Sequence, residues 1–263
     1  MKWMELTSPE LRQAVETCQG VCVVPFGCLE KHGDHLPLGT DVYHAEAVVA
    51  RAAEMEPVVE FPTQYFTQIE EGKHWPGAFC AGSRLMYDVL ERVCGEIARN
   101  GFQKIVFFNG HGGNGYFLPH FSYMRLERRY PYTLFLYRNG SPAIAEVAGW
   151  DAIKETEHDG HAGELETSVM LALRPDLVHM DLPNKDSGPA TGRLQHLKDM
   201  RTGFNWYADN PKHHQGDGAT ATVEKGRFLL DGCAQRFAEA LKILKEDTVA
   251  PQVLEEFYQQ SGL

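Results

Sequence analysis

Apolar and polar residues fall along the chain in two alternating kinds of block. Short apolar runs of strand length stand at 20–27 (GVCVVPFG), 57–66 (PVVEFPTQYF), 103–109 (QKIVFFN) and 132–139 (YTLFLYRN). Between them lie longer stretches whose apolar positions recur at helical spacing, at 8–18, 41–55, 83–101, 115–131, 162–177 and 224–247. Local signals mark several of their ends. Ser8 and Pro9 open the first as N-cap and first turn, Asn100-Gly101 closes the third, and Arg174-Pro175 stops the fifth. Strands of this length alternating with helices predict βαβ units, and therefore an α/β fold with a mostly parallel sheet. Segment 180–218 breaks the pattern, being rich in Gly, Pro, Asp and Asn. It reads as a long loop excursion over one end of the sheet, and a functional loop and a plain connection both fit it.

The chain has 263 residues, 43% of them apolar, which is enough for one sizeable domain spanning 1–263. Its formal net charge of −11 disfavours nucleic acid and anionic membranes as partners, since both call for a basic surface. No apolar run approaches the roughly 18–20 residues that span a bilayer. The opening stretch MKWMELTSPELRQ has no signal-peptide core. The six cysteines (Cys18, Cys22, Cys28, Cys80, Cys94, Cys233) include no CxxC pair and read as reduced thiols, so a cytoplasmic location is expected.

In an open α/β sheet, ligands bind outside the carboxyl ends of the strands. Two clusters fall at such ends. Glu30 and His32, in PFGCLEKHGDHLPLGTD, follow the run at 20–27, and His111, in NGHGGN, follows the run at 103–109. A third, HAGELE, brings His161, Glu164 and Glu166 to a helix start. Carboxylates and imidazoles without thiolate suit Zn²⁺, Mn²⁺ or Fe²⁺ in a reactive site better than a structural zinc site. Asp41, returning after a Gly/Pro loop, is placed to bridge two ions, the arrangement of a hydrolytic centre. Each residue also has an ordinary reading. Asp41 is a natural helix N-cap, His32 a loop histidine, NGHGGN a phosphate-cradling turn, and Glu164 and Glu166 first-turn acids favoured by the helix dipole. Cys28 reads as a small buried apolar residue. No GxSxG elbow or GxxxxGK[ST] loop is present.

The segments PFGCLEKHGDHLPLGTD, HWPGAF, NGHGGN, HAGELETS and GDGATATVEKG occur in this order, and together they resemble the creatininase (creatinine amidohydrolase) family over about residues 5–247. The resemblance implies a three-layer α/β/α sandwich and a divalent metal centre, with two ions per subunit. It also implies hydrolysis of a C–N amide-type bond by a metal-bound hydroxide, in a homo-oligomer, with a hexamer favoured. Carried onto this sequence, Glu30, Asp41 and His111 would hold one ion; His32 and Asp41 would hold the other. His161 would be the general acid/base and Glu166 a substrate-contacting catalytic residue. His74 and Trp75, with Gly112 and Gly113, would bind substrate, and His35 would support the site or line the pocket.

Creatinine-hydrolysing relatives look to complete the second ion with a glutamate two residues after the NGH histidine. Here that position is Gly113, and Glu164 is expected to supply the missing carboxylate. They also carry a tryptophan four residues before the His161 position, where this chain has Glu157. The expected substrate is therefore a small cyclic amide or formamide rather than creatinine. The alternatives are creatinine amidohydrolase proper and, from another class, a non-catalytic metal- or ligand-binding member of the fold.

Overall fold

The computed structural model describes residues 1–182 and 188–263; residues 183–187, part of the excursion expected at 180–218, lie outside them. Four short segments form one sheet: β1 (Val21–Phe26), β2 (Val59–Glu60), β3 (Lys104–Asn109) and β4 (Thr133–Leu136). The strand order is β2-β1-β3-β4, and every pairing is parallel. Central parallel strands are covered on both faces, which is why β1 and β3 read as unbroken apolar runs. Alternate side chains go to opposite layers. Val21 and Val23 join Val106 and Phe108 on one face. Cys22, Val24 and Phe26 join Ile105 and Phe107 on the other.

Helices α1 (Ser8–Thr17), α3 (Ser83–Arg99) and α4 (Asn114–Met124) cover the second face. The first is covered by α2 (Thr40–Met55), α6 (Glu164–Leu173) and α8 (Val223–Glu246). Short helices α5 (Trp150–Ile153) and α7 (Asn205–Asp209) lie in the connections, and α9 (Val249–Ser261) ends the chain. This is the α/β/α sandwich expected.

Several boundaries differ from expectation for local reasons. The N-cap of α1 is Thr7, whose N–H and hydroxyl both donate to Glu10, and Ser8 is the first helical residue. The run at 57–66 forms a regular strand only at Val59–Glu60; beyond it Phe61 N–H still donates to the Val23 carbonyl, and Gln64 rejoins β1 as an isolated bridge to Phe26. β4 stops at Leu136, since Arg138 and Asn139 just beyond it both take left-handed backbone (φ 53°). Sequence periodicity did not announce α9, which is seated through one buried residue, Tyr258. The six cysteines are free. Among the described residues no helix is long and apolar enough to cross a membrane.

Candidate metal centre

β1 and β3 run in register to their ends, with Phe26 opposite Asn109. The loops that follow them therefore leave the sheet side by side. The β3 loop is locked by Asn109, which donates from Nδ2 to the carbonyls of His111 and Gly140 (both 2.6 Å) and accepts from the His111 N–H (3.1 Å). The amides of Asn114 and Gly115 also bond within the loop. Helix α2 starts beside both loops. Gly39 is its N-cap and makes no side-chain cap bond, so Asp41 does not cap the helix. Its carboxylate instead faces the histidines.

His111 donates Nε2–H to the Gln68 carbonyl (2.7 Å), which turns Nδ1 toward the carboxylates. That nitrogen lies 2.6 Å from Glu30 Oε1 and 2.9 Å from Asp41 Oδ2. Both oxygens are buried and lack any hydrogen-bond donor. Such a buried convergence calls for a positive charge; burial works against one on His111, yet Cys28, Glu30 and Asp41 push its imidazole well above the ordinary value, and a metal cation would meet the same demand. Cys28 Sγ joins the same group. Burial pushes its thiol upward.

Asp41 turns its other oxygen, Oδ1, to His32 Nε2 at 3.1 Å, and Glu166 Oε2 lies 3.7 Å from the same nitrogen. His32 is buried, which works against its charge. Asp41 and Glu166 nevertheless hold it up at about 10, a measure of how negative this point is. Burial pushes Glu166 up to about 7. His161 stacks on His32 with ring centroids 4.2 Å apart. It donates Nε2–H to the Lys31 carbonyl (2.6 Å), and burial beside His32 drives it down to about 3. It is a neutral imidazole whose free nitrogen is Nδ1.

Two expected assignments change. Glu164 does not reach this group. It is fully buried on the far side of α6, bonded to Lys225 Nζ (2.5 Å) and to the N–H groups of Glu155 and Thr156. Residues two apart on a helix point about 200° away from each other, so only one of Glu164 and Glu166 can face the site. His74 and Trp75 do not line the cavity. Both donate to the Pro211 carbonyl, at 2.9 and 3.3 Å. Gly112 and Gly113 do line it. His35 sits behind Glu166, bonded to Thr167 at 2.9 Å.

The excursion supplies residues that sequence reasoning missed. His213 Nε2 lies 2.5 Å from Glu30 Oε2, and Trp206 Nε1–H donates to His213 Nδ1 at 3.1 Å. Trp206 also packs edge-on against His161. The only signal in the sequence was an HH pair and a tryptophan inside an apparent loop. Glu30, Asp41, His111, His161, Glu166 and His213 face a cavity of about 970 Å³, walled also by Tyr116, Trp150 and Arg201.

The family model for creatinine amidohydrolase matches residues 4–241. The chain belongs to the creatininase family. It is 29% identical to the creatinine amidohydrolase of Pseudomonas putida, over 90% of this chain and 95% of that one. It is 32% identical to the mycofactocin precursor peptide peptidase of Mycolicibacterium smegmatis, over 81% and 83%. Among solved structures, a creatininase mutant of Zn-Zn type superposes with a TM-score of 0.75 at 26% identity, covering 94% of this chain and 98% of that one. Within this family frame Gly113 has a steric reason. A Cβ there would stand 2.5 Å from His111 Nε2 and 2.7 Å from Gln68 Oε1, so no glutamate fits without moving the imidazole. The carboxylate that α6 turns toward His32 is Glu166.

Proposed function

We propose that this protein is a metal-dependent amidohydrolase, with Glu30, Asp41 and His111 holding one divalent ion and His32, Asp41 and Glu166 holding a second. The observation that carries this reading is the convergence of buried ligand atoms, two of them carboxylate oxygens without a hydrogen-bond donor. The bond at the other nitrogen turns the Nδ1 of His111 and the Nε2 of His32 inward, and these two nitrogens, ligand atoms once unprotonated, both face the oxygens of Asp41. Zn²⁺, Mn²⁺ or Fe²⁺ suits the oxygen and nitrogen donors. Bound there, such ions polarise a carbonyl and activate water. The protein contributes the rest. Asp41 fixes the spacing of the two half-sites. His161, neutral and positioned by the Lys31 carbonyl, accepts the proton at Nδ1 and passes it to the leaving nitrogen. Glu166 thus moves from substrate contact to ligand, in the place expected for Glu164.

The bond cleaved is a C–N amide of a small molecule, such as a cyclic amide or formamide. A second reading has its own support. The cavity is near the upper end of the roughly 300–1,000 Å³ usual for ligand pockets, and a relative at 32% identity is a peptide peptidase. Both favour an amide within a larger, peptide-like substrate. The two are separated by assaying metal-loaded protein on creatinine, hydantoins, formylamino compounds and short peptides, with bound metal measured alongside. Protein that binds no divalent ion under these conditions refutes the enzyme reading. We place the protein in the cytoplasm as a homo-oligomer, a hexamer, which light scattering tests.

A further inference from the structure

His213 has an unusual setting. It is 1% exposed, and its backbone is left-handed (φ 54°), a conformation that a non-glycine residue adopts only where the surroundings impose it. Three donors from the loops beside the metal centre impose it here. His74 and Trp75 hold the Pro211 carbonyl, and Lys31 Nζ holds the next one, that of Lys212, at 3.1 Å. The loop that carries His74 also lacks a side chain where the imidazole passes. A Cβ on Gly72 would lie 2.8 Å from His213 Cε1.

The hydrogen bonds decide which proton His213 carries. An indole N–H only donates, so His213 Nδ1 must accept from Trp206. The neutral ring then carries its proton on Nε2 and donates it to Glu30 Oε2. A nitrogen that bears a proton is not a metal ligand, although His213, Glu30 and His161 cluster closely enough to resemble a metal site. With Oε2 taken, only Oε1 of Glu30 is left to face His111.

We propose that Trp206 and His213 form a positioning pair, carried by the excursion and tethered by His74, Trp75 and Lys31, that holds Glu30 as a one-oxygen ligand. His74 and Trp75 thereby act on the metal centre through the backbone at Pro211 and not on substrate. This rests on the metal-centre reading above. Groups that orient a metal ligand typically contribute 10–100-fold to metal affinity.

The test is zinc competition against a chromogenic chelator, with wild type, His213→Ala, His213→Gln, Trp206→Phe and a His74→Ala/Trp75→Phe double variant, each also melted by circular dichroism. His213→Ala is expected to weaken the Glu30 ion 10–100-fold. His213→Gln, whose amide N–H₂ can still donate to Glu30, is expected to recover most of that. Trp206→Phe and the tether variant should weaken binding by a smaller factor, with the other ion unchanged. If His213→Ala fails to fold, Trp206→Phe and the tether variant carry the test. Binding within twofold of wild type in every folded variant overturns the proposal, as does His213→Gln binding no better than His213→Ala. Loss of zinc with improved binding in Trp206→Phe would make His213 a ligand and also overturn it. Failure of wild type to bind zinc refutes the metal-centre reading itself.

Discussion

Glu164 and Glu166 stand two residues apart on α6 and turn to opposite sides, so glutamine at each position separates folding from chemistry. Glu164 is fully buried. It bonds Lys225 Nζ at 2.5 Å and accepts from Thr156 N–H at 2.7 Å and Glu155 N–H at 3.0 Å. Glutamine keeps one acceptor oxygen but turns an N–H₂ toward one of those donors. One buried N–H then goes unpaired, at about 1–3 kcal/mol. Losing the negative charge also weakens the bond to Lys225. Breaking a buried ion pair usually costs about 3–5 kcal/mol, but Lys225 keeps Glu155 and the Thr220 carbonyl, so the lower part of that scale applies. Glu164→Gln is therefore expected to destabilise by about 3 kcal/mol. In a chain of this length that lowers the melting temperature by roughly 6–12 °C.

Glu166→Gln should behave in the reverse way. Burial already pushes this carboxyl up to about 7, so neutralising it costs the fold little and can stabilise the metal-free protein. The assay pairs a thermal melt with metal content per chain. Glu164→Gln should melt early and hold wild-type metal; Glu166→Gln should melt at or above wild type and lose one ion. Glu164→Gln that keeps its melting temperature and loses metal would refute the reasoning and restore the expectation drawn from sequence. The acid side adds a check. Burial raises Glu164, but Lys225 and the two amides outweigh it and hold the carboxyl below its ordinary 4.5. Its stabilisation is thus full above that value and is lost as pH falls through the depressed folded value, a loss that Glu164→Gln should not show.

Further outcomes follow from other residues. Gly113→Ala places a methyl group 2.5 Å from His111 Nε2, so metal content should fall at the Glu30 half-site, with about 1–3 kcal/mol lost in stability, read by metal analysis and urea melts. Burial lowers His35 and His44 to about 4 from 6.5, with His214 adding to the effect at His35. Each is neutral when folded and protonates on unfolding, so stability drops as pH falls from 6.5 toward 4. The loss is about 2 kcal/mol per residue at pH 5, and His44→Gln should remove its share in urea titrations at pH 7 and 5. Asp41→Asn should abolish binding of both ions at once, while Glu30→Gln and Glu166→Gln each abolish one, seen as metal stoichiometry per chain.

The parts of this protein that were legible in the sequence are those encoded by period and punctuation. β1 and β3 showed as apolar runs because both of their faces are covered, and His111 and Glu30 were placed together because parallel strands bring their carboxyl ends to one edge. Helical phase was not legible. HAGELE puts two acids within one turn, and which of them faces His32 depends on how α6 rolls against its neighbours. Leu165 and Val169 go into the core, and the Thr222 N–H bonds Ser168 Oγ, which brings α8 alongside and delivers Lys225 to Glu164. That choice is made by packing between elements far apart in sequence. The segment at 188–218 was opaque for a related reason. Its backbone follows donors from other loops rather than its own periodicity, so His213 and Trp206 looked like ordinary loop residues.

The contrast explains how one family scaffold can change its site while keeping its segments. Glu30, His32, Asp41 and His111 are placed by strand ends and a helix start, which the sheet dictates. The remaining carboxylate and the groups that hold Glu30 come from α6 and the excursion, which the sheet does not dictate. Gly113 ties the two sets together. Because His111 and Gln68 close around it, the β3 loop has no room for an acid. On the proposed two-ion reading, the second half-site would then draw on α6, where Glu166 and not Glu164 faces His32. The loop that enters α6 sets His161 against Trp206, so a change in the source of the carboxylate would also change the wall beside the site. A substrate unlike creatinine is the consequence expected from that coupling. Its sharpest test is whether Gly113→Glu paired with Glu166→Gln restores two-ion binding; the crowding at His111 predicts that it does not.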